Sequence, residues 1–166
     1  MHFTLEHRFE APVDVVELAS NDDDYQERLA DLPNLGERKV TKLERHADGS
    51  IDRTTHYKLG SQLPPLVVAV IGAAATWDEV ARFEPAAHRW TFQIRPHVLA
   101  GRIDCTGQYT FLRDGDGTKR IVEVDLKVKV PLVGGRVERE IGKGLKETMD
   151  AEARILSEYI AEGTSR

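Results

Sequence analysis

A single cysteine, Cys105, stands in the 166 residues, so no disulfide can close within the chain and no Cys-rich metal site is available. A reducing compartment suits that composition. There is no polybasic block either: Lys and Arg are scattered through the strand-like stretches, and the formal net charge is -5. That balance argues against nucleic acid or an anionic membrane as the main partner. No hydrophobic run is long enough to span a bilayer. Leu66 to Ala75 is nearly free of polar groups, yet it has half of the about 20 residues a spanning helix needs, and Pro64-Pro65 breaks the strand before it. It reads as a buried turn of helix or a lid over the core, with a peripheral membrane contact as the alternative. The stretch from Met1 to Phe9 has no basic-then-apolar leader, so the expected location is the cytoplasm.

Signatures of chemistry are equally sparse. The six histidines, His2, His7, His46, His56, His88 and His97, form no pair at helical spacing and fall in no recognisable metal motif, so neither a metal nor a cofactor is expected. Gly134-Gly135 is not followed by the lysine and hydroxyl of a nucleotide loop. Asp114-Gly115-Asp116-Gly117 begins like a calcium loop, but Thr118 and Lys119 stand where that loop needs an oxygen ligand and its glycine; it reads as a hairpin turn. Cys105 has no basic cluster or helix N-terminus nearby to activate it. No catalytic residue is assigned.

What the chain does have is pattern. Its length and its 40% hydrophobic and 31% charged residues fit one domain, residues 1–166, that buries roughly 70% of its unfolded surface. Phe3, Leu5, His7 and Phe9 alternate with polar residues over a first strand, His2 to Phe9. Pro12 opens a short helix, and the acidic stretch Asp22-Asp23-Asp24 caps a second one near Tyr25 to Leu32. Strands follow over Arg38 to His46, Ile51 to Leu59, Thr76 to Phe83, Arg89 to Arg95, Arg102 to Leu112 and Arg120 to Val130, separated by turn residues, as in consecutive antiparallel strands.

One long amphipathic helix closes the chain. Val137, Ile141, Leu145, Met149, Glu152, Leu156 and Tyr159 form one stripe at spacings of three and four. About 28 residues at 1.5 Å each reach roughly 42 Å, which needs a curved sheet to cover it. Gly142 and Gly144 lower its helicity and so mark close packing or a cavity edge. Glu152 is a carboxylate on an apolar stripe. Either it sits at the stripe's edge or pairs with a sheet arginine, or it anchors a polar group inside a pocket.

This order, with His2-Phe3-Thr4-Leu5-Glu6-His7, Ala11-Pro12-Val13, the Trp77 strand and Val130-Pro131-Leu132-Val133-Gly134-Gly135-Arg136-Val137-Glu138, resembles the START and birch-pollen-allergen-like superfamily of polyketide cyclases and lipid-transport domains. Within it the chain is similar to a family of uncharacterised function. The resemblance implies an α+β helix-grip fold: a curved antiparallel sheet wrapped around the C-terminal helix, two short helices after strand one, and an apolar tunnel between sheet and helix. Strand parity puts Thr55 and Tyr57, Trp77 and Glu79, Trp90 and Phe92, and Cys105, Gly107 and Tyr109 on the concave side, Cys105 and Gly107 being small enough to leave room. Expected ligand contacts are therefore Tyr57, Trp77, Glu79, Trp90, Phe92, Cys105, Tyr109, Leu145, Met149 and Glu152, with Arg53 also available to orient a polar group. The expected function is carriage or sensing of an apolar or amphipathic small molecule or lipid. A cyclase or hydratase using His7 or Glu152, and a filled-core interaction domain using residues 66–75, are the alternatives; a homodimer stays open.

Overall fold

The computed structural model describes residues 1–164. Its elements run β1 (His2–Phe9), α1 (Val13–Ser20), α2 (Asp23–Arg28), β2 (Leu35–Arg45), β3 (Ile51–Leu59), α3 (Pro65–Ile71), β4 (Thr76–Glu84), β5 (Arg89–Pro96), β6 (Ile103–Asp114), β7 (Gly117–Val128) and α4 (Gly134–Thr164). The seven strands form one antiparallel sheet in the order β1-β7-β6-β5-β4-β3-β2. Only the step from β1 to β2 leaves sequence order. α1 and α2 make that crossing, carrying the chain from one edge of the sheet to the other. Asp22 caps α2 as expected, its Oδ1 accepting from the Asp24 amide at 2.9 Å. Tyr25 on α2 is 1% exposed, so the crossing segment is itself part of the core.

The alternation in β7 shows why the sheet has an inner face. Thr118, Arg120, Val122, Val124, Leu126 and Val128 are all buried, and the residues between them are not. α4 lies against this face, with Val137, Met149 and Leu156 buried in the common core. It is 31 residues long, slightly longer than the pattern predicts, and it is tied to the sheet near its start, where Glu138 Oε1 accepts the Val128 amide at 2.9 Å. Gly142 is a close-packing glycine, since a Cβ there would meet Met1 Sδ at 2.7 Å. Two register shifts in β2 lengthen that strand and splay the edge of the sheet. Among the described residues, no helix is long and apolar enough to cross a membrane.

Candidate functional site

The inner face carries a row of side chains set by strand register: Thr55 opposite Glu79, Glu79 opposite Ile94, Ile94 opposite Cys105, and Cys105 opposite Leu126. This row is a frontier. On one side of it the space under α4 is open and apolar; on the other it is nearly full and polar.

The open side is a cleft of about 620 Å³. Trp77, Ile94 and Cys105 form its sheet wall, Ile141 and Leu145 its helix wall, and Val67 and Ile71 of α3 close it from the side. The apolar run after Pro64-Pro65 is thus a one-sided wall, with Val67 buried and Ala69 exposed. Gly144 lines the cleft and has room for more than a hydrogen, making it the cavity-edge glycine of α4. At the mouth, Asn34 Nδ2 donates to the Gly144 carbonyl at 3.2 Å and to Glu147 Oε2 at 3.3 Å, which holds the loop before β2 against α4. Burial pushes the Cys105 thiol up to about 12, with Glu79 adding to the shift, so Cys105 is a neutral wall residue with no thiolate to attack a substrate.

The full side is a chamber of about 40 Å³, room for a water or one polar group of a ligand. Arg38, Arg53, Arg120, Glu79, Glu152, Tyr57 and Tyr109 meet there. Arg120 is the sheet arginine that Glu152 pairs with: its Nη1 donates to Glu152 Oε1 at 2.8 Å, and its Nη2 donates to His7 Nδ1 at 3.2 Å and to the Met149 carbonyl at 3.4 Å. Because an arginine can only donate, His7 Nδ1 accepts, and His7 Nε2–H therefore donates to Asp150 Oδ1 at 2.8 Å. Burial and the Arg120 charge hold the His7 pKa below its ordinary value against the pull of Asp150. Both ring nitrogens are committed, so His7 is a buttress for Arg120 and not a free base.

Three groups in or beside this chamber are different. Among the described residues, the Glu79 carboxylate has no hydrogen-bond or ion-pair partner. The Thr55 hydroxyl, on a residue that is 0% exposed, has none either. Arg53 lies 4.5 Å over the Trp90 ring, and its Nε, like those of Arg38 and Arg120, is buried and unpaired. Burial raises the Glu79 pKa, with Glu152 adding to the shift and Arg53 and Arg38 opposing it. Native interiors seldom leave polar groups without partners. Thr55 is opposite Glu79 in register, and Arg53 is two residues along β3 on the same face.

The residues expected from strand parity are thereby divided. Trp77, Cys105 and Leu145 line the cleft, while Tyr57, Glu79, Trp90, Tyr109 and Glu152 line the chamber, and Tyr57 stacks on Trp77 at 5.5 Å as the partition between them. Phe92 and Met149 are packed in the core and line neither. Gly107 does not make open space: a Cβ there would lie 2.4 Å from Phe92 Cζ and 2.6 Å from the Glu123 carbonyl, so it accommodates the Phe92 ring. Arg120, Arg38 and the α3 wall are absent from the sequence-based set. Arg120 had a signal, since it falls on the buried phase of β7 between Thr118 and Val122.

A family described as protein of unknown function (DUF2505) matches residues 4–160. The chain belongs to that family. No curated protein gives a significant match. Solved structures share the fold of this DUF2505 chain. TTHA0849 from Thermus thermophilus is 16% identical with a TM-score of 0.69, over 98% of this chain and 99% of that one. A START superfamily protein from Mycobacterium smegmatis is 16% identical with a TM-score of 0.59, over 97% of each chain. Ara h 8.0201 is 12% identical with a TM-score of 0.66, over 98% of each. At these identities the likeness is one of fold, here the helix-grip fold.

Proposed function

We propose that this DUF2505 protein binds an apolar or amphipathic small molecule or lipid as a carrier or sensor, the apolar body in the cleft and a polar group reaching Glu79, Thr55 and Arg53. One observation carries this: an apolar cleft of about 620 Å³ shares the partition of Tyr57 and Trp77 with a chamber lined by Glu79 and Arg53, and the Thr55 hydroxyl and Arg53 Nε are buried without a partner. Its volume falls in the range of small-molecule sites, which are mostly apolar with a few polar groups fixing orientation. A filled-core interaction domain would have no use for that space.

Glu79 supports a second reading, a cyclase or hydratase acting on the same class of molecule. A half-buried carboxylate with a raised pKa beside an apolar cleft has the properties of a general acid or base.

Native mass spectrometry of the purified chain, followed by extraction and identification of any bound molecule, tests the first reading. A discrete apolar adduct is expected, along with one-to-one binding of a solvatochromic naphthalene dye that Leu145→Trp weakens by roughly tenfold or more. A chain that is empty and also binds no such dye would overturn it. Once the ligand is known, Glu79→Gln separates the two readings: a carrier has no turnover to lose, whereas an enzyme loses turnover and keeps binding.

A further inference from the structure

We propose that His56, Asp78 and His97 form a binding site for a divalent first-row transition-metal ion on the outer face of the sheet, apart from the cleft. His56 and Asp78 are register partners on β3 and β4, and His97 follows β5, its amide donating to the Thr76 carbonyl at 3.0 Å. Their side chains have the opposite parity to Tyr57, Trp77 and Glu79, which face inward. His56 Nδ1 is 2.9 Å from Asp78 Oδ1, and His97 Nε2 is 3.0 Å from Asp78 Oδ2. All three donors lie within 4.8 Å of one another.

That spacing suits one ion. Ligand atoms about 2.0–2.2 Å from a common metal lie roughly 3–3.5 Å from each other at octahedral or tetrahedral angles. The two imidazoles stack at 5.5 Å with 22° between their planes, so both present an edge to the same carboxylate. Two imidazoles and a carboxylate select zinc, cobalt, nickel or iron over calcium and magnesium, which prefer all-oxygen sites. With three protein ligands, the remaining positions stay open to water. His97 also has the outer support that metal-bound histidines have: its second nitrogen, Nδ1, is 2.9 Å from Thr76 Oγ1, which fixes the ring. The side chains are 28%, 33% and 43% exposed, open enough for an ion to enter.

A second cluster serves as a comparison. Glu44, His46 and Asp52 also approach one another, but with one imidazole, and Arg82 Nη1 already donates to both Asp52 oxygens at 2.9 Å. A guanidinium there takes the place a cation would need. Among the described residues, the ion-pair partners of Asp78 are His56 and His97, with no guanidinium on its carboxylate. An ion here would tie β3, β4 and the segment after β5 together next to Thr76 and Trp77, which line the cleft.

The test uses the tag-free full chain, stripped with a chelator and titrated near neutral pH with cobalt, followed by visible absorption, and with zinc, followed by calorimetry. One ion per chain is expected. Asp78→Asn and His97→Ala should each weaken binding by roughly tenfold or more, and His46→Ala should leave it unchanged. Zinc should raise the melting temperature of the parent chain and not that of Asp78→Asn, with circular dichroism confirming that each variant is folded. Absence of saturable one-to-one binding, binding that survives both Asp78→Asn and His97→Ala, or binding that is lost in His46→Ala would each overturn the assignment.

Discussion

The concave face of this sheet is built to two rules. Around Arg120 the interior is crowded with charge and aromatic rings and leaves about 40 Å³, whereas around Cys105 it is apolar and leaves about 620 Å³. Much of the charge in the first region is paired: Arg120 is 2% exposed, and its Nη1 and Nη2 donate to Glu152, His7 and the Met149 carbonyl, although its Nε is buried without a partner. The second is lined mainly by apolar side chains, with Glu140, Lys143 and Glu147 contributed by α4. Between them lie Glu79, Thr55 and Arg53, which follow neither rule. The crowded end anchors α4 to the sheet through the bonds from Arg120 to Glu152 and to the Met149 carbonyl.

The largest expected effect follows from breaking the paired end. Arg120→Leu leaves the Glu152 carboxylate, whose side chain is 23% exposed, without its partner, and the loss should be about 3–5 kcal/mol in denaturant-induced unfolding. The double variant Arg120→Met/Glu152→Leu should recover most of that loss, since removing both charges also removes the cost of burying them. A single variant that costs under about 1 kcal/mol would show that the pair is effectively solvated.

The two ends can next be compared by adding volume. Gly107→Ala should cost about 1–3 kcal/mol, because its Cβ meets the Glu123 backbone carbonyl, which cannot swing away, as well as the Phe92 ring. Leu145→Trp adds far more volume on the cleft side and should change stability by less than about 1 kcal/mol, because the space is already there. Equal costs would mean that the cleft closes in solution. Smaller again is Thr55→Val, a near-isosteric change that removes the unpartnered hydroxyl; it should be neutral or stabilise the ligand-free protein by up to about 1 kcal/mol.

How much of this could be read from the chain depends on the kind of information involved. Period-two alternation in β7 and the three-four stripe of α4 are local, so the sheet, the terminal helix and the inward parity of Trp77, Glu79, Cys105 and Tyr109 were legible. Glu152 stood out on its stripe, and a sheet arginine as its partner was legible too, though not that it was Arg120. Which inward residues line open space was not, because that depends on how neighbouring rings fill it. Phe92 occupies the room that Gly107 leaves, while nothing occupies the room beside Cys105. Bulges in β2 and the meeting of His56, Asp78 and His97 from three segments likewise arise from pairing register, which spacing along the chain does not encode.

The smallest effects, and the sharpest on the frontier between the two regions, are in pH dependence. Burial raises the Glu79 pKa above its ordinary 4.5, so the folded protein holds that proton more tightly than the unfolded chain does. The stability Glu79 contributes is therefore fully present below pH 4.5 and is lost as pH rises through the raised value. Glu79→Gln should gain stability relative to the parent across that window and hold a constant advantage above it. His7 behaves in the opposite sense: with its folded pKa below the ordinary 6.5, its contribution is present above that value and is lost as pH falls through the folded pKa. His7→Asn should thus gain on the parent as pH drops below 6.5. Unfolding free energies measured at intervals across this range give the two difference curves. A flat curve for Glu79→Gln would mean that water or a ligand already satisfies the carboxylate, removing the contrast between the paired end and the unpaired frontier.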